Sequence, residues 1–451
     1  MTRQAIHRGL RVDSWVMMIG CWVRCAAQAR PTVEALDGVP YAELDARADA
    51  AARAMRDRGL RAGDRVGLLL APGAPFVAAF WGALRVGAVP IPVSTRLSAT
   101  EVAQQTATAS FVVDEPLPTR TAGAPLPVVA HRTQDCAVLL HTSGTTSAPK
   151  PVPLTFGNLL WAAQGSAVAI GHPPDERWLA ALPLNHVGGL SIVVRSAFAG
   201  TTAEVHDGFD AQRIVQRLLA PDGPTVISVV ATTLGRLLDA GLREPARLRC
   251  ALAGGGPIPP ALQERAREAG VPVAQTYGMT ETTAMVSAQR PGDAGSDAGP
   301  PLFCTRVRIA QDGEILVAGP TVAPGAAGPD GFLRTGDLGA VDAAGRLSVT
   351  GRKADTIVTG GENVAPAEVE AVLERHPDVL EAAVLGRPDP QWGEAVVAVV
   401  VLREGATARP EGLREHCARS LARFKVPKRV EIRTAPLPRT ASGKLLRQDL
   451  P

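Results

Sequence analysis

The sequence has little lysine. The residue occurs only at positions 150, 353, 425, 428 and 444, and arginine supplies the positive charge almost everywhere else. Because an ammonium group is a compact point charge and a guanidinium group is a planar fork, a lysine in such a chain is a candidate for a role that needs a point charge. Lys425 and Lys428 are better explained as ordinary surface charges. The other positions remain candidates.

Other shortages exclude whole classes of protein. The six cysteines are mostly scattered singly, which predicts neither a disulfide framework nor a zinc site and favours reduced thiols in a cytoplasmic protein. A net charge of +3 is too small to indicate a nucleic-acid partner. No stretch approaches the ~20 uninterrupted apolar residues of a membrane span. The apolar run at residues 15–23 loosely resembles a signal peptide, but it is short and Arg24 follows it, so we predict an amphipathic first helix.

The order of the predicted elements indicates the fold. A chain of 451 residues is too long for one core and predicts two or three domains. Strands and helices alternate up to about residue 253, which is typical of an α/β domain, and antiparallel hairpins follow at residues 307–317 and around residues 344–345, after 333–337. The predicted fold class is therefore α/β, with a large N-terminal domain (1–350) of layered α/β subdomains plus a small antiparallel part. A short polar hinge (351–355) leads to a small α+β C-terminal domain (356–451).

One hydroxyl-rich stretch lies between an apolar strand and a later helix. Residues 141–153 read His-Thr-Ser-Gly-Thr-Thr-Ser-Ala-Pro-Lys-Pro-Val-Pro. Hydroxyl donors, a glycine that admits an oxyanion and one lysine are typical of a loop that grips phosphate. A nucleotide P-loop would need Gly-Lys-Ser/Thr, whereas Pro149 precedes Lys150 and Pro151 follows it. On this stretch alone, a serine- and threonine-rich surface turn remains a competing interpretation.

Further polar turns follow the predicted strands of the α/β part. They lie at residues 231–233 and 254–257, and residues 275–281 form a separate polar island further along the chain. In open parallel sheets ligands bind at the carboxyl ends of the strands, so these turns should meet at one edge together with the hydroxyl-rich loop.

Five stretches, in this order, resemble the acyl-adenylate-forming enzymes, which include acyl-CoA synthetases, luciferases and the adenylation domains of peptide synthetases. They are residues 142–150, 275–281, 334–337, 351–355 and 438–444. The resemblance implies ATP, Mg²⁺, coenzyme A and a small carboxylic acid as ligands, and a mobile C-terminal lid that rotates between two half-reactions. In the first half-reaction the carboxylate attacks the α-phosphorus of ATP, and in the second a thiol attacks the acyl-adenylate.

The resemblance also implies roles for individual residues. The pyrophosphate would be held by Thr142, Ser143, Gly144, Thr145, Thr146 and Lys150. The nucleoside and α-phosphate would contact Gly254, Gly255, Gly256, Tyr277, Gly278, Thr280, Asp337 and Arg352. Glu281 would hold Mg²⁺, which prefers carboxylate and phosphate oxygens. Lys444 would offset negative charge during adenylation, and Gly360 and Gly361 would line the pantetheine channel of coenzyme A.

The stretches that would choose the acid look most like those of the o-succinylbenzoate–CoA ligases of menaquinone synthesis. They are residues 183–195, 228–234 and 360–370. That acid has two carboxylates, and its second carboxylate needs a cationic or multi-donor partner. The candidates are His186, Arg195, Ser228 and Thr232, although Arg195 could equally pair structurally and His186 could instead gate the thioester channel.

Two other functions remain open at this point. An aryl- or medium-chain acyl-CoA synthetase would need one carboxylate and an apolar pocket, and a catalytically silent adenylate- or CoA-binding regulator would keep only the binding residues. Ser147 stands where the family usually has glycine, and Ala354 occupies a hinge position that often carries Asp or Lys, so neither the effect of Ser147 nor the pivot residue is decided. The sequence is compatible with a homodimer but does not determine the oligomeric state.

Overall fold

The computed structural model describes residues 17–120, 126–127, 129–142, 150–293, 295–439 and 445–450. Its helices are α1 (Trp22–Ala29), α2 (Tyr41–Asp57), α3 (Ala74–Val86), α4 (Ala99–Gln105), α5 (Phe156–Ile170), α6 (Val187–Ala199), α7 (Ala211–Leu219), α8 (Ala231–Asp239), α9 (Pro260–Glu268), α10 (Pro366–Leu373) and α11 (Pro410–Ala418). Short 3-10 turns lie at Thr280–Thr282, Lys353–Asp355, Arg423–Lys425 and Arg447–Asp449.

The strands are short in the first two thirds of the chain and longer near its end. They are β1 (Met18–Ile19), β2 (Glu34–Leu36), β3 (Val39–Pro40), β4 (Arg65–Leu68), β5 (Val89–Pro92), β6 (Phe111–Val113), β7 (His131–Arg132), β8 (Cys136–Thr142), β9 (Lys150–Thr155), β10 (Arg177–Ala180), β11 (Thr202–Val205), β12 (Val226–Val229), β13 (Cys250–Ala253), β14 (Val273–Tyr277), β15 (Ser287–Ala288), β16 (Arg306–Ile309), β17 (Glu314–Ala318), β18 (Leu333–Val341), β19 (Leu347–Arg352), β20 (Ile357–Thr359), β21 (Glu362–Val364), β22 (Val379–Asp389), β23 (Gly393–Leu402) and β24 (Arg429–Arg433).

The largest sheet has helices on both faces and runs in the order β15-β14-β13-β12-β10-β11-β2-β3. The strands from β14 to β2 are parallel, and β15 and β3 close its edges in antiparallel fashion. Along β10, Trp178 and Ala180 enter one apolar core and Leu179 enters the other. A sheet buried on both faces explains why its strands are continuous apolar runs.

The hydroxyl-rich loop joins two antiparallel strands, and the second of them, β9, was not predicted. Strand β9 lies between the loop and α5 and pairs with β8 from Cys136↔Thr155 to Thr142↔Lys150. Pro151 and Pro153 argue against a strand in the sequence, because proline cannot donate a ladder hydrogen bond. They are tolerated here since β8 and β9 form a two-stranded sheet in which both strands have an open edge.

The architecture changes after β15, as predicted. Strands β16 to β19 form an antiparallel sheet of successive neighbours. A separate sheet, in the order β21-β20-β23-β22 with β24 beside β23, packs against α10 and α11 around its own apolar core, which includes Val369, Leu413 and Val400. The predicted fold class, a large layered α/β part followed by a small α+β domain, is confirmed.

The first predicted helix begins later than expected. Met18 and Ile19 pair with Arg132 and His131 as strands, and α1 begins only at Trp22. In the part of the chain that the structure describes, none of the helices combines the length and the apolar character needed to cross a membrane.

Candidate active site

The predicted turns lie together at the carboxyl edge of the large sheet. Adjacent strands are in register up to their ends, because Val229 of β12 pairs with Ala253 of β13, which pairs in turn with Gln275 of β14. The segments that follow these three strands therefore begin side by side. The prediction that the turns after β12 and β13 meet at one edge is confirmed.

The turn after β13 places three glycines, Gly254 to Gly256, at this edge. The amide of Gly254 donates to the carbonyl of Val229 (3.0 Å), and Gly255 has a φ of +76°. A Cβ at position 254 would lie 3.1 Å from the Cγ2 atom of Thr276, so the turn packs closely on β14. Gly255 and Gly256 remain exposed, which leaves their peptide groups accessible to a ligand.

A hydrogen-bonded triad joins β14 to the antiparallel sheet. The hydroxyl of Tyr277 donates to Oδ2 of Asp337 (2.8 Å), and Nε of Arg352 lies 2.8 Å from Oδ1 of the same carboxylate. Burial raises the pKa of Tyr277, and the charge of Asp337 raises it further, so the phenol stays a proton donor. The structure therefore brings together three residues predicted from separate motifs.

The turn between β14 and β15 depends on glycine at position 278. A Cβ there would lie 1.7 Å from the carbonyl oxygen of Ala284, so no other residue fits. The turn continues through the 3-10 segment Thr280–Thr282, and the main-chain carbonyl of Glu281 accepts a hydrogen bond from Ala323 (2.8 Å). The backbone of Glu281 is thus fixed, while its side chain is only half-buried.

Glu281 is suited to a hard cation such as Mg²⁺. The described residues contain no group of three or more His, Cys, Asp or Glu that could hold a metal alone. Mg²⁺ usually takes one or two protein carboxylates together with substrate phosphates and water. One carboxylate beside bound phosphate groups would therefore suit this ion.

The structure describes only the two ends of the hydroxyl-rich loop. Thr142 and Lys150 face each other, with a 3.4 Å hydrogen bond from the Thr142 hydroxyl to the Lys150 carbonyl, and the Lys150 side chain is exposed. Strand β9 contacts the Thr280–Thr282 turn, which brings this hairpin to the same edge. The remaining predicted loop residues, Ser143, Gly144, Thr145, Thr146 and Ser147, lie outside the described residues.

Two of the predicted acid-binding residues, His186 and Arg195, belong to helix α6 and its N-terminal cap. His186 precedes the helix, and burial lowers its pKa, which favours a neutral imidazole. Arg195 lies nine residues further on, about 13 Å along the helix axis. Its guanidinium carbon is 5.3 Å from the centre of the Trp178 ring, and the Trp178 indole donates to the hydroxyl of Ser228 (3.0 Å). Arg195 and Ser228 thus contact the same tryptophan.

Arg195 is a buried cation with unused donors. The residue is 7% exposed, and its Nε and Nη2 atoms have no hydrogen-bond partner among the described residues. Burial lowers its pKa to about 10, and the charge of Glu176 opposes that shift. The guanidinium also lines a narrow cavity that is otherwise mostly apolar, with Ser191 and Thr283 as its hydroxyl-bearing residues. A buried guanidinium with unpaired donors is suited to bind an anion.

Thr232 lies in a helix and not in the predicted turn. Residues 231–233 form the first turn of α8, and the hydroxyl of Thr233 closes it by accepting from the Val230 amide (2.9 Å). Thr232 is half-buried in this first turn, which directly follows β12 at the edge of the sheet.

The predicted residues of the C-terminal domain are only partly described. Gly360 and Gly361 form the turn between β20 and β21, with φ values of +60° and +85°. A Cβ at position 360 would lie 2.9 Å from the ring of Trp392, so this turn requires glycine. Lys444 lies outside the described residues.

Sequence reasoning missed two features of this region. No role was predicted for Trp178, and nothing in the sequence pairs it with Arg195. Lys353, one of the rare lysines, lies 2.7 Å from Asp312 and 3.2 Å from Glu314 and thereby ties the predicted hinge to the β16–β17 hairpin. The scarcity of lysine already made Lys353 a candidate, but nothing in the sequence indicated these two partners.

Comparison with known proteins places these observations in a family. The model of the AMP-binding enzyme family matches residues 24–113 and 105–326, and the model of the AMP-binding enzyme C-terminal domain matches residues 368–444. The 2-succinylbenzoate–CoA ligase of Bacillus subtilis (strain 168) is 36% identical, over 95% of this chain and 97% of the relative. The enzyme of the same name from Geobacillus kaustophilus is 42% identical over 70% of this chain and 69% of its own.

Solved structures agree in fold over nearly the whole chain. The o-succinylbenzoate coenzyme A synthetase of Bacillus subtilis in complex with ATP and magnesium ion has a TM-score of 0.88 at 35% identity, covering 96% of this chain and 100% of that one. ATP-bound MatB from Rhodopseudomonas palustris has a TM-score of 0.85 at 27% identity, covering 96% and 98%. The family predicted from the five motifs is therefore confirmed: this chain belongs to the AMP-binding enzyme family.

Proposed function

We propose that this chain is an ATP-dependent acid–CoA ligase that acts on 2-succinylbenzoate. The observation that carries the choice of acid is Arg195, a buried guanidinium with two unpaired nitrogens. Arg195 lies in α6, the helix that follows His186, and its unpaired nitrogens would pair with the second carboxylate of a dicarboxylic acid. The relatives named above are 2-succinylbenzoate–CoA ligases, and a Bacillus subtilis relative has been solved with the acyl-adenylate OSB-AMP.

In the first half-reaction a carboxylate oxygen bonds to the α-phosphorus of ATP, and the bond to the bridging oxygen breaks to release pyrophosphate. Asp337, held by Tyr277 and Arg352, accepts hydrogen bonds from the ribose hydroxyls. The backbone after β13 borders the adenine, and Thr280 contacts the α-phosphate. Glu281 holds Mg²⁺, which when bound supplies positive charge to the phosphate oxygens.

In the second half-reaction the thiol of coenzyme A attacks the acyl carbon, loses its proton, and AMP leaves. The Gly360–Gly361 turn lets a narrow pantetheine pass close to the backbone, because these residues carry no side chain. The small domain rotates about residues 351–355 between the two steps, and it brings Lys444 to the phosphate in the first step only.

Pyrophosphate release across a panel of acids, with and without coenzyme A, tests this proposal. We expect 2-succinylbenzoate to be used more efficiently than benzoate or octanoate, with thioester formed only when coenzyme A is present. A clear preference for benzoate or octanoate would overturn the choice of acid but keep the reaction class. ATP binding without acid-dependent pyrophosphate release would favour a regulator instead.

Lys444→Ala tests the division between the half-reactions. Because its ammonium offsets charge on both reactants, its loss should slow adenylation by roughly 10²–10³-fold. Thioester formation from preformed acyl-adenylate should be spared. Lys425→Ala is the matched control, since Lys425 pairs with Glu368 on the surface of the small domain (2.7 Å). Equal loss of both half-reactions in Lys444→Ala would contradict the assignment.

A further inference from the structure

Two sets of ion pairs hold the two ends of the hinge. On the side of the large domain, the ammonium of Lys353 lies between the carboxylates of Asp312 and Glu314 at 2.7 and 3.2 Å. On the side of the small domain, Oδ2 of Asp355 lies 3.3 Å from Nη1 of Arg447. The hinge is therefore attached to a different domain at each end.

Arg447 is also bound to the body of the small domain. Its Nη2 atom lies 2.6 Å from Oε1 of Glu370 in α10, and its Nε donates to the carbonyl of Val384 in β22 (3.2 Å). Glu370 in turn accepts the amide of Val384 (2.7 Å). One guanidinium thus joins the hinge, a helix and a strand.

Arg447 belongs to a short segment that follows Lys444 directly, residues 445–450, which we call the C-terminal strap. The strap is fixed at both ends: Leu445 forms a β-bridge with Arg439, and Leu450 is buried in the apolar cluster that contains Leu385 and Leu437. The amide of Leu446 also donates to the carbonyl of Pro438 (2.9 Å). The strap therefore moves with the small domain.

We propose that Arg447 is a positioning residue for adenylation, because it makes the strap and the hinge residue Asp355 parts of one rigid body. The inference rests on the proposed function, in which Lys444 reaches the phosphate only in the first half-reaction. Rotation is then confined to Ala354, between the Lys353 and Asp355 attachments. A loosened strap would misplace the residue immediately before it, and an error of about 1 Å can cost roughly a hundredfold in rate.

The Asp355–Arg447 pair has little to contribute to stability alone. The two side chains are 33% and 27% exposed, and ion pairs with that much solvent around them stabilise proteins only weakly. Removing the pair should therefore change the geometry of the strap without unfolding the domain. This separates a positioning role from a structural one.

The experiment is a double-mutant cycle of Arg447→Gln and Asp355→Asn, in which each half-reaction is measured by itself. Acid-dependent pyrophosphate release reports adenylation, and thioester formation from preformed acyl-adenylate reports the second step. We expect Arg447→Gln to slow adenylation about tenfold or more and the second step less than threefold. Asp355→Asn should show the same split, and the double variant should lose no more than Arg447→Gln, because the two changes break one contact.

Arg439→Gln is the matched control, since Arg439 pairs with Glu381 (2.8 Å) beside the strap. An equal loss in this variant, additive losses in the cycle, or equal loss of both half-reactions would overturn the inference. If Arg447→Gln lowers the melting temperature, the test is made with Asp355→Asn instead, because Asp355 is the more exposed partner. A wild-type protein without acid-dependent pyrophosphate release would contradict the proposed function instead, so the two failures are distinguishable.

Discussion

The two sides of the candidate cleft hold their charges in opposite ways. On the nucleotide side, both oxygens of Asp337 already have partners, one from Tyr277 and one from Arg352. On the acid side, two nitrogens of the buried Arg195 have no hydrogen-bond partner among the described residues. The first side is already hydrogen-bonded without a ligand, whereas the second would gain its partners from an anionic ligand.

This difference matches what each side must recognise. Every member of such a family binds the same nucleotide, so its nucleotide-binding carboxylate can be held in one fixed position. The carboxylate then does not have to move during the reaction. The acid differs between members, and an unpaired buried charge discriminates strongly because an acid that cannot pair with it leaves the charge unsatisfied. The following predictions test whether the two sides differ in this way.

The largest effect is expected from Asp337→Asn. The substitution removes the charge that Arg352 pairs with and weakens the hydrogen bonds expected from the ribose, so adenylation should fall by roughly a hundredfold, consistent with the loss of charge-assisted hydrogen bonds. Steady-state pyrophosphate release at varied ATP measures it. Asp330→Asn, at an exposed ion pair with Arg308, is the control and should behave as wild type.

Arg195→Gln should change the choice of acid more than the use of ATP. We expect kcat/KM for 2-succinylbenzoate to fall roughly tenfold to thirtyfold, while kcat/KM for benzoate changes less than threefold, because benzoate has no second carboxylate. Competition between the two acids measures the ratio. A parallel loss for both acids would mean that Arg195 supports the fold of the cleft and not the choice of acid.

Arg195→Met should stabilise the protein in the absence of ligand. The buried guanidinium carries unpaired donors, so replacing it by an apolar side chain of similar length should raise the free energy of unfolding by about 1–2 kcal/mol. Denaturant unfolding of ligand-free protein checks this. A destabilised variant would show that the guanidinium is satisfied in the ligand-free protein.

Tyr277→Phe should change stability in the opposite direction from Arg195→Met, and by the smallest amount of these predictions. Here a buried hydrogen bond to a carboxylate is lost and nothing replaces it, so the free energy of unfolding should fall by about 1 kcal/mol. The same unfolding measurement applies. If Tyr277→Phe were neutral and Arg195→Met destabilising, the contrast between the two sides of the cleft would be wrong.

The nucleotide side was the easier side to predict. Tyr277, Asp337 and Arg352 lie in three short motifs whose residue types already indicate hydrogen bonding, and the parallel strand order brings the motifs together. The β8–β9 hairpin was missed because Pro151 and Pro153 argue against a strand, and only the open edge of that two-stranded sheet tolerates them.

The contacts of the acid side and of the hinge depend on tertiary structure. Arg195 and Trp178 are neighbours because α6 packs across the sheet, which no local pattern specifies. Likewise, Arg447 lies 92 residues from Asp355 in the chain. Pairs separated in this way follow from the packing of whole elements, so the sequence predicted the charged residues but not their partners.

The turn that follows Gly278 has a consequence for protein engineering. Thr283 and Ala284 have φ values of +55° and +82°, in the left-handed region that side chains other than glycine rarely adopt. Thr283 is compensated by a hydrogen bond from its hydroxyl to the carbonyl of Thr321 (2.8 Å), whereas the methyl group of Ala284 can form none. Ala284→Gly should therefore raise the melting temperature by relieving strain worth about 1 kcal/mol, less the added flexibility of the unfolded chain. A natural active-site loop thus contains a position where a smaller residue would make a more heat-tolerant catalyst.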